Sequence, residues 1–186
     1  MKSKLSLAQV RKMDIFEEVE SPVIVYHMTS RSNAFSIAQD RKVKCFGDYV
    51  TWFFTDLRQI PIYIYITGAD EGRTYWDTDG RKRKAPPLNH EDTVILKISC
   101  RKEPLVWFKE IIDSGKKGYQ NMSETQNRIW DYMNNARICH YGDLRFSAVL
   151  ETIELTELDK MPPPQEIEEI KGLREQMRQE QGTAKE

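Results

Sequence analysis

The chain has 186 residues, 39% hydrophobic and 31% charged, with a formal net charge of -1. That length supports one ordinary hydrophobic core, and the near-balanced charge supplies no global basic field, so any contact with nucleic acid has to be local. Three cysteines without a CxxC pair, Cys45, Cys100 and Cys139, argue against a disulfide framework and against a zinc ribbon, and no metal is expected.

The opening MKSKLSLAQVRKMD is polar and broken by charges. It lacks the apolar core of a signal segment, and no stretch is long enough to cross a bilayer, so a cytoplasmic protein without membrane contact is expected. Leu7, Val10, Met13 and Phe16 are spaced as a short amphipathic lead-in, which Pro22 ends. VIVY, from residue 23, is β-branched and aromatic and predicts a strand. It runs into a helix carrying Ala34, Ile37 and Ala38, with Ser30 or Ser32 as N-cap. YVTWFF predicts a second strand, whereas IPIYIYITG is apolar without a period that decides its type. Residues 69–92 are polar, irregular and rich in Gly and Pro, the composition of a long loop or ribbon. TVILKISC predicts a strand and PLVWFKEII a strand end or short helix. Ser123, three residues before Gln126, forms a capping-box pattern ahead of Ile129, Trp130 and Met133. RFSAVLETIEL predicts a last strand, and MPPPQ a stiff extended linker. The expected organisation is therefore one domain over residues 1–160, then a Pro-rich linker and helical tail over 161–186 with Ile167, Ile170, Leu173 and Met177 on one face.

Strands scattered among unlike loops and two helices predict a mixed α+β fold with a crevice at strand ends. Within it, Tyr26, His27, Thr29, Asn33 and Ile37 stand in the order aromatic-His-x-Thr, Asn four residues on, Ile four further. DYVTWFFTDLRQIPIYIYITGADEG, NRIWDYMNNA and RFSAVLE follow. In this order the chain resembles the DarT-type DNA ADP-ribosyltransferase toxins over residues 23 to about 152. The resemblance implies an ADP-ribosyltransferase-like split β-sheet core with flanking helices, NAD as ADP-ribose donor, single-stranded DNA as acceptor and a macrodomain antitoxin as partner. It also implies a catalytic Arg from the loop after the first helix, where DRKVKCFG offers Arg41. The catalytic Glu of the last strand would be Glu151, which stands two residues after the family's position. On a regular strand it shares a face with Val149, so a slip or bulge is needed to place it; without one the enzyme lacks its Glu.

The residue types suit that chemistry. Cleaving nicotinamide from ribose leaves an oxocarbenium-like centre, which a carboxylate stabilises; Glu151 is the candidate. His27 and Thr29 can bind ribose hydroxyls, Asn33 can brace the turn, and Arg58 can neutralise a pyrophosphate, although beside Asp56 it equally suits a surface pair. Tyr49, Trp52 or Tyr63 can stack on nicotinamide or on an acceptor base. In the 69–92 segment, Arg73, Tyr75 and Trp76 with Arg81, Lys82, Arg83 and Lys84 combine base-stacking rings with phosphate-neutralising charges. Two other functions fit the same residues: a catalytically eroded module that binds nucleic acid or protein, and a transferase acting on protein or RNA.

Overall fold

The computed structural model describes residues 16–19, 24–45, 50–76, 81–100, 105–108, 123–135 and 137–183. In chain order these form β1 (Phe16–Val19), β2 (Ile24–Ser30), α1 (Arg31–Asp40), β3 (Lys42–Val43), β4 (Val50–Phe53) and α2 (Gln59–Thr67). A 3-10 turn (Ala69–Glu71), β5 (Thr74–Trp76), β6 (Lys82–Lys84), β7 (Thr93–Ser99) and β8 (Leu105–Phe108) follow. The remainder is α3 (Glu124–Asn135), β9 (Ile138–Tyr141), β10 (Leu144–Arg145), β11 (Ala148–Glu154), α4 (Leu155–Leu158) and α5 (Gln165–Thr183). The fold is mixed α+β, as its alternating patterns predict.

Antiparallel pairing builds a four-stranded sheet in the order β1-β8-β9-β4 and a three-stranded sheet β11-β7-β2. The pairs β10-β3 and β5-β6 are short ribbons. The central strand β7 carries the apolar residues Val94, Ile95, Leu96 and Ile98, interrupted by Lys97, because its two faces serve different cores. Val94, Leu96 and Ile98 enter one cluster with Val25, Phe53, Ile138 and Leu144, while Ile95 enters another with Phe54, Ile60, Ile64, Ile153 and Leu155.

Local chemistry starts the helices. Ser30 caps α1 by accepting from the Asn33 amide at 3.3 Å. The Ser123 pattern makes a reciprocal capping box, with Ser123 N–H donating to Gln126 Oε1 at 2.8 Å and Gln126 N–H to Ser123 Oγ at 3.2 Å. IPIYIYITG becomes helix α2. Pro61 sits in its first turn, where no amide donor is missed, and the Gly68 amide closes its C-terminus at a φ of 63°. The segment lacks an amphipathic period because it is covered on two sides: Ile60 and Ile64 fill the second cluster, and Ile62 fills a third.

That third cluster decides the place of the C-terminal segment. Ile167, Ile170 and Leu173 of α5 pack with Ile62 and Ile129, so the helix beyond the expected boundary at residue 160 is docked on α2 and α3. Arg174 donates to the carbonyls of Tyr65 and Ile66 at 3.2 and 2.9 Å, satisfying the end of α2. Phe16, read as part of a short amphipathic lead-in, lies in β1 paired to Phe108, since strand pairing overrides a short local period. Leu7, Val10 and Met13 of that lead-in lie outside the described residues.

Ile170 has no solvent exposure, so Ile170→Ala should lower unfolding free energy by about 2–5 kcal/mol. Urea denaturation followed by tryptophan fluorescence should show one cooperative transition at a lower midpoint. A second, separate transition for the helix would mean that α5 is not part of the same folding unit.

Candidate functional site

Among the described residues a single bridge joins the two main sheets. Tyr26 donates to Phe54 O at 2.8 Å and Phe54 donates to Tyr26 O at 2.9 Å. Past it β2 continues along β7 and β4 along β9. A pocket of about 520 Å³ lies at this fork. His27, Thr29 and Ser30 line it from β2, Trp52 and Phe54 from β4 and its end, Tyr63 from α2, and Arg73 and Arg137 from the segments beside β5 and β9.

His27 is turned so that Nδ1–H donates to the Trp52 carbonyl at 3.1 Å. Burial dominates its titration and lowers its pKa from 6.5, against the smaller opposing effect of that hydrogen bond. The ring is therefore neutral near pH 7, with the lone pair on Nε2 as an acceptor for a hydroxyl. Opposite charge character comes from the two arginines. The Arg137 guanidinium lies 4.2 Å from the Trp52 ring centroid and 5.7 Å from that of Tyr63, and Arg73 Nη1 donates to the Tyr63 hydroxyl at 3.1 Å. Stacking on aromatic faces holds a cation at low entropic cost and leaves its edge able to meet an anion. Asp92 is the one acidic residue of the lining.

The outer wall comes from residues 85–93. The Ala85 amide donates to Arg73 O at 2.8 Å and the Leu88 amide to Ala69 O at 2.9 Å. This close approach requires Gly72, since its φ is 78° and a Cβ there would meet Ala85 O at 2.6 Å. The Asn89 carboxamide accepts from the amides of Glu91 and Asp92, at 3.1 and 3.3 Å. Below the wall, His90 bridges Asp70 at 2.7 Å and Asp159 at 2.8 Å, tying the 3-10 turn to the end of α4. Partial burial alone would lower the His90 pKa, but the hydrogen bonds to both carboxylates and their charges together raise it above 6.5.

Of the residues singled out from the sequence, His27 and Thr29 line the pocket, as do the stacking candidates Trp52 and Tyr63. Asn33, Arg41 and Arg58 do not. Asn33 is exposed on the first turn of α1, and Arg41 is its exposed C-cap at a φ of 49°. Arg58 is 83% exposed and forks onto Asp56, so the surface-pair alternative describes its position. Tyr49 lies outside the described residues. Glu151 follows a register shift in β11: Val149 pairs with Ile98 and Glu151 with Lys97, leaving Leu150 as the extra residue. The bulge turns Glu151 off the face of Val149, onto the one shared with Ile95 and Ile153. Its side chain is 54% exposed, 3.4 Å from Lys97, and outside the pocket lining. The neighbouring Glu154 is held by Arg31.

Arg81, Lys82, Arg83 and Lys84 are exposed. Lys82, Arg83 and Lys84 form β6, whose register sets Trp76 across from Lys82 and Thr74 across from Lys84. Sequence reading missed Arg137, Asn89 and Asp92. Nothing local marks them; Arg137 stands out only as a cation at a helix-to-strand junction. Among the described residues no group of three or more His, Cys, Asp or Glu stands close enough to hold a metal ion, and no helix is long and apolar enough to cross a membrane. Comparison with family models, with curated proteins and with solved structures gives no match.

The raised His90 pKa gives a signed pH dependence. A histidine more basic in the folded state adds stability that is full below its unfolded pKa and is lost as pH rises through the folded one. The stability difference between the wild type and His90→Gln should be largest below pH 6.5 and shrink above it. Urea midpoints across this range read it directly, and a pH-independent difference would mean that the bridge adds no proton-linked stability.

Proposed function

We propose that the pocket at the sheet fork binds NAD and that the protein is a mono-ADP-ribosyltransferase whose acceptor is single-stranded DNA. The observation that carries the binding half is the combination at one fork of a neutral His27 acceptor and the Thr29 hydroxyl with Arg137 held over Trp52 and Tyr63. Ribose hydroxyls suit the first pair, a pyrophosphate suits the cations Arg73 and Arg137, and flat rings suit the pocket-lining aromatics Trp52 and Tyr63. A volume of about 520 Å³ falls within the usual range for ligand pockets, roughly 300–1,000 Å³. In this reading Arg73 and Arg137, rather than Arg58, meet the phosphates.

The transfer half is supported by the DarT-like order of motifs and by the presence of Glu151 in the last strand. In that chemistry the bond between ribose C1′ and the nicotinamide nitrogen breaks, nicotinamide leaves with the electron pair, and a nitrogen of an unstacked base attacks C1′ and releases a proton. A carboxylate near C1′ stabilises the charge that develops there.

A second reading has its own observation: Glu151 is solvent-exposed beside Lys97 and outside the pocket lining, which favours a module that holds NAD or nucleic acid without transferring ADP-ribose. An acceptor of protein or RNA is separated from DNA by the same assay.

Labelled NAD incubated with the protein and single-stranded DNA, RNA or protein should label the DNA. Glu151→Gln should keep NAD binding and reduce labelling by orders of magnitude, the mark of a contact made in the transition state. NAD should raise the melting temperature of the wild type by mass action, and His27→Ala should remove that gain. A melting shift without labelling on any acceptor would establish the binding module; neither shift nor labelling would remove the NAD assignment.

A further inference from the structure

His90 stands behind the outer wall of the pocket with an acceptor on each side. Its Nε2 lies 2.7 Å from Asp70 Oδ1 in the 3-10 turn, and its Nδ1 lies 2.8 Å from Asp159 Oδ2 just past α4. An ionised carboxylate only accepts, so both contacts are hydrogen bonds when both ring nitrogens carry a proton, which is the imidazolium. The neutral ring has one N–H to give. Its other nitrogen then turns a lone pair toward a carboxylate, and one of the two arms opens.

The arms hold a wall whose far end is fixed by other means. Residues 85–89 line the pocket together with Ala69 of the turn, and the Leu88 amide reaches Ala69 O at 2.9 Å. Beyond His90, the Arg31 amide donates to Asp92 O at 2.8 Å and its guanidinium to Glu91 O at 2.9 Å, while forking onto Glu154. Those hydrogen bonds raise the Arg31 pKa and lower that of Glu154, so this tether stays charged across neutral pH. Losing an arm at His90 therefore frees the wall on one side and leaves it hinged at residues 91 and 92.

We propose that His90 is a proton-operated latch on the pocket: as the imidazolium it clamps the 85–89 wall between the 3-10 turn and α4, and as the neutral ring it lets the wall part, so that the pocket holds its ligand less tightly as pH rises. The identity of that ligand rests on the NAD reading; the latch itself does not. Burial opposes the charge on His90, but the bonds to Asp70 and Asp159 outweigh it, which sets the release above pH 6.5. Glu71 beside Asp70, Glu157 and Lys160 near Asp159, and Glu91 and Asp92 after His90 are the other charged groups on these elements. Burial lowers the pKa of His27 from 6.5, so the histidine inside the pocket is neutral while the latch opens.

Hydrogen exchange of the segment carrying the Ala85 and Leu88 amides reads the wall without any ligand, from about pH 6 to about pH 9. Taken as variant over wild type at each pH, intrinsic exchange cancels. His90→Gln should exchange several-fold faster than the wild type at the acid end and no faster at the alkaline end. Asp159→Asn separates a latch from a merely structural histidine, because the new amide can donate to Nδ1 of a neutral ring whose Nε2–H still meets Asp70. That variant should stay protected at the alkaline end, where the wild type loosens. NAD affinity should follow the wall: the wild type loses about fivefold across the range, the lower end of coupling between sites, whereas His90→Gln is weak and Asp159→Asn tight throughout. If exchange behaves in this way but the wild type binds no NAD, the dinucleotide reading falls and the latch stands. A His90→Gln exchange ratio that does not change with pH, an Asp159→Asn wall that loosens like the wild type, or an NAD affinity with the same pH dependence in the wild type and His90→Gln overturns the proposal.

Discussion

The pair of hydrogen bonds between Tyr26 and Phe54 is the constraint on which the rest of the molecule depends. It joins two sheets that otherwise belong to different ladders. It also fixes where they part, because the residues after Tyr26 and before Phe54 must pair elsewhere or face a cavity. Neighbouring side chains are divided there. Val25 and Phe53 enter one core, while Phe54, with Tyr26 packed against it, enters the other. The His27 bond to Trp52 O continues the contact across the fork with a side chain where the backbone ladder has ended. The same geometry that opens the pocket thus buries His27 and keeps it neutral.

The pocket's outer half depends on close backbone approach. Gly72 allows residues 85–87 to lie against the 3-10 turn, and His90 holds that turn to α4 with two carboxylates. The inner half depends on α2, which is anchored on one side by Ile60 and Ile64 and on another by the α5 contacts to Ile62. Tyr63 projects from this helix into the lining of the pocket. Docking of α5 is therefore coupled to the position of Tyr63 through the helix that carries both sets of contacts.

The last strand shows how one inserted residue redirects chemistry. Without the bulge, Glu151 would share the face of Val149, which packs against the first core. With it, Glu151 lies beside Lys97 on the face of Ile95 and Ile153. Leu150 is left 54% exposed, the position of a residue without a ladder partner. An exposed pair of this kind stabilises the fold little.

Much of this was written in local sequence. The Ser123–Gln126 box, the Ser30 cap, the strand begun by VIVY and the β7 strand each follow from interactions within a few residues, so composition and spacing suffice to find them. The order Tyr26, His27, Thr29 likewise pointed to a crevice, which His27 lines from the middle of β2 and Thr29 from near its end. Tertiary structure alone decided the rest. IPIYIYITG had no period because it is buried from several sides, a fact about its neighbours and not about itself. Arg137 entered the site, and Asn33, Arg41 and Arg58 did not, because membership of a pocket depends on which distant segments converge. Glu151 changed face through a single register shift against β7, and register is a property of the pair of strands, fixed by the packing of both, that no single strand can carry.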